Sequence, residues 1–185
     1  MHEVKSYLKN LKKNLNNHNF KKINILIKYL SNSLINKNKV YICGNGGSAG
    51  NANHIANDLL YGIAKFNGIG LDVESLSANS SVITCLANDT GYENIFSKQI
   101  LVKGKKNDLL ILLSGSGNSR NIIEAIKAAK KKNMKIFAIL GYDGGKVRKM
   151  IKDFIHFPIN DMQISEDLQL VVLHICMKSL LKQKF

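Results

Sequence analysis

Leu109-Leu110-Ile111-Leu112-Leu113 is an unbroken apolar run between Asp108 and the turn Ser114-Gly115-Ser116-Gly117-Asn118-Ser119. The run is too short for a core helix and shows no polar alternation. It fits a strand covered on both faces, from Asp108 to Leu113. A strand buried on both sides needs helices above and below its sheet, which commits the chain to an α/β architecture. The run is also far too short to cross a bilayer.

The flanking pattern agrees. Apolar positions at Val4, Tyr7, Leu8, Leu11 and Leu15 predict a helix over Glu3 to Asn17, and Ile23, Ile27, Leu30 and Leu34 share the face of a second. Val40-Tyr41-Ile42-Cys43 then reads as a strand that breaks at Gly44-Asn45-Gly46-Gly47. Ser48 is an expected N-cap for a helix running to about Ala64. A weak strand is expected over Ile69 to Val73, a helix near Ser77 to Ala87 and another near Asn94 to Val102. After the central strand come a helix to about Lys132, a strand over Lys135 to Leu140, a short one over Asp153 to Phe157 and a last helix over Ile164 to Leu181. Strands alternate with helices from Lys39 onward, so the sheet should be mostly parallel, with ligands at the carboxyl ends of its strands. Both glycine-rich turns lie there.

One domain is expected over 185 residues, with helices in 1–37 and an α/β core in 38–185. The formal charge of +14 raises the question of nucleic acid. Arg120 and Arg148 are the only arginines, however, and the lysines are spread through Asn- and Ile-rich stretches with no aromatic interleaving. Neither a nucleic-acid partner nor a membrane is expected. The beginning of the chain lacks the pattern of a signal peptide. Cys43, Cys85 and Cys176 form no Cys-x-x-Cys pair and are odd in number, which suits a reducing cytoplasm.

Two turns and four side chains could carry chemistry. Ser114 to Ser119 joins a strand to a helix with three hydroxyls and two glycines. Free amide groups and a partial positive charge at the helix start would complete a phosphate cradle. A polar cap needs only one hydroxyl, so the surplus favours the phosphate. Gly44 to Ser48 is a second backbone-rich loop, which taken alone is also an ordinary tight turn. His54 and Asp58 are four apart on the helix that follows it, hence on one face. Glu166 and His174 are eight apart on the last helix, a little over two turns. Two imidazoles and two carboxylates suit a Zn²⁺-like ion. Each of the four, taken singly, is also a normal core or solvated residue.

In order along the chain stand Gly44-Asn45-Gly46-Gly47-Ser48 with His54, then Asn88-Asp89-x-Gly91-Tyr92, then Ser114-x-Ser116-Gly117-Asn118-Ser119, then Asp143-Gly144-Gly145-Lys146. This series resembles the phosphoheptose isomerases of the sugar-isomerase (SIS) fold. The resemblance implies an α/β/α sandwich with a mostly parallel sheet of about five strands, and a homotetramer with sites between subunits. It implies a cytoplasmic aldose–ketose isomerase acting on sedoheptulose 7-phosphate, with one zinc per subunit. By the same resemblance Asn45, Gly46, Gly47, Ser48, Asn88 and Asp89 would contact the sugar. Ser114, Gly115, Ser116 and Ser119 would line the phosphate site. His54, Asp58, Glu166 and His174 would hold the metal, with Asp58 and Glu166 also touching substrate, Asp58 as base and His174 as acid. The chain departs from the family pattern where Asp58 replaces Glu, Glu166 replaces Gln, Gly62 replaces Arg and Gly115 replaces Thr. The same branch holds a non-catalytic replication-initiation regulator, so a scaffold without turnover and an isomerase of another sugar phosphate are the alternatives.

Overall fold

The computed structural model describes residues 1–15 and 20–183. Two helices, α1 (His2–Leu15) and α2 (Phe20–Ile35), precede β1 (Val40–Gly44) and α3 (Gly47–Asn57). A π turn (Asp58–Gly62) joins α3 to α4 (Ile63–Asn67), which leads into β2 (Val73–Ser75). Then follow α5 (Ser80–Thr90), a 3₁₀ turn (Tyr92–Asn94), α6 (Ser97–Lys103), β3 (Leu109–Ser114) and α7 (Arg120–Lys131). The chain continues through β4 (Lys135–Leu140), α8 (Gly145–Met150), β5 (Phe154–His156) and α9 (Met162–Leu181). The end of the first expected helix, Asn16 and Asn17, and His18 lie outside the described residues.

The five strands form one parallel sheet in the order β2-β1-β3-β4-β5. Every residue of β3 is buried, as its unbroken apolar run requires. Register places Ile42 opposite Ile111 and Ile111 opposite Phe137. Side chains alternate across the strand, so these three meet Leu26 and Leu30 of α2 and Leu168 and Val172 of α9 on one face. Tyr41, Leu110 and Leu112 point to the other, against Phe96, Ile100, Ile122 and Ile126. The result is the expected three-layer α/β/α sandwich.

Local boundaries differ from expectation for identifiable reasons. The helix after β1 starts at Gly47, with Gly46 as N-cap at φ 56°, a left-handed position that suits glycine. Ser48 falls inside the first turn and is buried, so its hydroxyl serves another purpose. The helix breaks into a π turn before Ala64, and Leu71 N–H donates to the Leu59 carbonyl at 3.1 Å to cover that turn. Spending Leu71 in this way delays β2 to Val73. Asn79 caps α5 by accepting from Val82 N–H at 3.1 Å, which moves the helix start to Ser80. The short helix near Asn94 divides into the 3₁₀ turn and α6.

Candidate functional site

In this strand order the chain reverses direction between β1 and β3, and an open parallel sheet has its crevice there. The two glycine-rich turns follow these two strands and face each other across the crevice. Between them lies a cavity of about 400 Å³. Asn45, Gly46, Gly47 and Ser48 line it from one turn, and Ser114, Gly115, Ser116 and Ser119 from the other. Met162 and Glu166 of α9 close it.

The serine turn is shaped from within. Ser114 Oγ accepts from Gly117 N–H at 3.1 Å and Ser116 Oγ from Asn118 N–H at 3.2 Å, so both hydroxyl hydrogens remain to be donated. Ser119 is the N-cap of α7, yet its side chain makes no capping bond. The turn is braced from behind by 141–147, because Gly141 N–H donates to the Gly115 carbonyl at 2.9 Å and Val147 N–H to the Gly117 carbonyl at 3.0 Å. A Cβ on Gly117, at φ 63°, would run into the Gly144 carbonyl. The interlocked backbones explain why glycine stands there. Gly115 has its side-chain space filled by Met162, whose sulfur would lie 2.7 Å from an added Cβ.

α3 and α9 lead away from the cavity side by side, and each carries an imidazole further along. His54 Nε2 lies 3.0 Å from His174 Nε2 and 3.5 Å from Asp58 Oδ2; His174 Nε2 lies 3.4 Å from the same oxygen. The rings stand nearly perpendicular, at 86°. All three potential ligand atoms fall within 4.8 Å of one another. Asp58 is mostly covered, whereas the histidines are about half exposed, leaving the group open on one side. Asp58 is also the first residue of the π turn, a helix defect that recurs at functional sites. Two imidazole nitrogens and a carboxylate oxygen with an open side make a donor set that fits a zinc-like ion.

The other expected residues are elsewhere. Glu166 does not join this group. Its carboxylate lies over Gly47, where a Cβ would collide with it, and 3.5 Å from Ser48 Oγ. Asn88 and Asp89 sit exposed at the end of α5 and bond to each other at 2.8 Å, outside the cavity lining. Gly62 packs against α9, where an added Cβ would lie 2.7 Å from Met177 Cε.

Asn51, Gln169 and Asn121 gave no signal in the sequence, yet they bond to residues that line the cavity. Asn51 Nδ2 donates to the Glu166 carbonyl and to Gln169 Oε1, both at 3.0 Å, and buried Gln169 donates to Ser48 Oγ at 3.0 Å. Asn45 and Asn121 exchange two amide hydrogen bonds at 2.8 and 2.9 Å, and Tyr92 hydroxyl donates to Asn45 Oδ1 at 3.0 Å. Polar residues at such wide separation have no local spacing to betray them. Cys43 and Cys176 are buried, and burial pushes the Cys176 thiol up to about 12. Cys85 is exposed, donating to Asp89 Oδ2 at 3.4 Å.

Residues 3–141 match the SIS domain family. The chain is 40% identical over 143 residues to the phosphoheptose isomerase of Helicobacter pylori strain HPAG1, covering 77% of this chain and 74% of that one. It is 40% identical over 151 residues to the phosphoheptose isomerase of Dechloromonas aromatica strain RCB, covering 80% and 76%. The solved structure of phosphoheptose isomerase GmhA from Neisseria gonorrhoeae superposes with a TM-score of 0.87 at 29% identity, covering 97% of this chain and 95% of that one. A phosphoheptose isomerase from Francisella tularensis superposes at 0.91 with 25% identity, covering 98% and 96%. By sheet order, by the two facing turns and by these likenesses, the chain belongs to the SIS domain family, among its phosphoheptose isomerases.

Proposed function

We propose that the protein interconverts sedoheptulose 7-phosphate and D-glycero-D-manno-heptose 7-phosphate. The broader activity, isomerisation of a sugar phosphate, accords with its family. The observation that carries the narrower one is the pairing of the hydroxyl-rich cavity with the His54–Asp58–His174 group on the same two helices. Ser48 and His54 are six residues apart on α3, and Glu166 and His174 eight apart on α9. At ~1.5 Å per residue the group lies about 9–12 Å along the helices from the cavity. A seven-carbon chain with a terminal phosphate spans a comparable length.

Ser114, Ser116 and Ser119 donate to the phosphate, with the amide groups at the start of α7. Anchoring that end fixes the reacting carbons. Asn45, Gly46, Gly47 and Ser48 contact the sugar, and Asn88 and Asp89 are assigned to it by family position. Asp58 accepts the proton from C1 of the ketose and returns it to C2, through an enediol. His174 manages the hydroxyl protons, giving one to the oxygen on C2 while that on C1 is released. His54, Asp58 and His174 would hold a zinc ion, one per subunit, and Glu166 is kept with the substrate. When bound, such an ion supplies a Lewis acid that stabilises charge developing on the substrate oxygens.

A homotetramer with sites between subunits is part of this proposal. It is supported by exposed apolar side chains near the site, with Leu60 at 50%, Tyr61 at 63% and Phe66 at 70%. Among the described residues no helix is long and apolar enough to cross a membrane, which accords with a cytoplasmic location. The convergence of His54, Asp58 and His174 weighs against a scaffold without turnover, which would have no use for it. The test is NMR of the purified protein with sedoheptulose 7-phosphate and zinc in deuterated water. Aldose product carrying deuterium at C2 is expected. No product and no exchange at C1 would sink the proposal.

A further inference from the structure

Two helices begin at the walls of the cavity. α3 starts at Gly47 and α7 at Arg120, and neither N-cap contributes a side-chain bond. Each start therefore presents unpaired amide groups and a partial positive charge to the same space. By backbone alone, either end of the cavity could attract an anion. The side chains break this symmetry. At α7 stand three serines. At α3 stands the carboxylate of Glu166, seated over Gly47 and 3.5 Å from Ser48 Oγ.

Glu166 is held in place there. Its carbonyl accepts from Asn51 Nδ2 at 3.0 Å. Gln169, one turn further along α9, bridges Asn51 and Ser48 through bonds of 3.0 Å each. Asn51 and Ser48 belong to α3, so the frame ties this stretch of α9 to the first turns of α3. The absent side chain of Gly47 leaves the room that the carboxylate fills.

We infer that Glu166 sets the direction in which a sugar phosphate lies in the cavity, its carboxylate denying the α3 end to a second anion and leaving the serine turn to take the phosphate. This rests on the isomerase proposal above and adds polarity to it: an anion is refused at the start of α3 and accepted at the serine turn. Like charges brought together in a partly enclosed site repel strongly enough to exclude a competitor.

Calorimetry of the full-length protein with two probes, sedoheptulose 7-phosphate and inorganic phosphate, tests this at fixed ionic strength. Zinc binding is measured separately. The wild type should take up inorganic phosphate at a single site, the one from which sedoheptulose 7-phosphate displaces it. Glu166→Gln keeps the shape and removes the charge, and should bind a second phosphate ion, about tenfold or more tighter than any second binding by wild type. Glu166→Asp, which keeps the charge, should stay at a single site. Zinc affinity of Glu166→Gln should stay within about threefold of wild type, since the ion is assigned to other ligands. Unchanged phosphate binding in Glu166→Gln overturns the inference while leaving the isomerase proposal intact. A fall in zinc affinity of about tenfold or more would make Glu166 a metal ligand instead, and also overturns it. A wild type that binds neither probe removes the isomerase proposal and this inference together.

Discussion

Asp58 is the residue on which the proposed chemistry turns, because one carboxylate oxygen faces both imidazoles. Asp58→Asn keeps the shape and removes the base. It should lower kcat/KM by about 10²-fold or more in a coupled isomerase assay. His54→Ala and His174→Ala should each weaken zinc binding by at least about tenfold by calorimetry. Ser119 gives a different signature. Loss of an N-cap hydroxyl ordinarily costs about 1 kcal/mol, but this hydroxyl makes no capping bond. Ser119→Ala should therefore raise KM several-fold and leave Tm nearly unchanged; a fall in Tm with KM unaltered would show an ordinary cap. The His54–Asp58 spacing was legible in the sequence because a helix converts four residues into one face. The Asn51–Gln169–Ser48 frame was not, because its partners are brought together only when α9 docks on α3.

Among the elements, β3 dictates the most. Leu110 is fully buried between β1 and β4 and packs toward α6 and α7. Leu110→Ala should cost about 2–5 kcal/mol in urea unfolding. Gly117→Ala combines a left-handed φ with a collision against backbone that cannot swing aside. It should disturb the serine turn more than Gly50→Ala, since an added Cβ at Gly50 meets nothing within 4 Å. Sugar-phosphate binding by the two variants makes the comparison. β3, β4 and α7 could be read from the sequence because unbroken apolar runs and polar turns bound them. β2 could not be placed well: Leu71 carries the apolar signal of a strand but is spent on covering the π turn.

For the molecule as a whole, the layered architecture followed from the alternation of buried runs and amphipathic helices, which is a property of the entire chain. The position of Glu166 did not, since eight residues on α9 separate it from His174 and only the packing of two helices decides where each points. One ion-pair cluster joins distant parts. Lys39 before β1 and Lys103 at the end of α6 both reach Glu74 in β2, at 2.9 and 2.5 Å. Burial would push the Glu74 carboxyl up, but the hydrogen bonds from Lys103 and Lys39 outweigh it and hold the group below its ordinary value. A depressed carboxyl stabilises the fold above the unfolded value, near 4.3 for Glu, and ceases to do so as pH falls through the folded value. Glu74→Gln should thus cost about 0.5–1 kcal/mol at neutral pH. The difference from wild type in urea unfolding should vanish in strong acid; an equal gap at both pH values would refute the coupling.

The π turn that opens at Asp58 has a consequence for chain length. A π turn accommodates one residue more than regular α-helix, and each helical residue advances the direction of its successors by about 100°. Deleting Leu60, which is half exposed, would let the segment heal into continuous helix. His54 and Asp58 precede the deletion and would keep their spacing, and Tyr61 to Asn67 would keep their bearing, because the π turn takes up its extra residue within a single widened turn. The shortened chain would thus separate the widened turn from the direction of the segment beyond it, and show which of the two sets the aim of the Asp58 carboxylate.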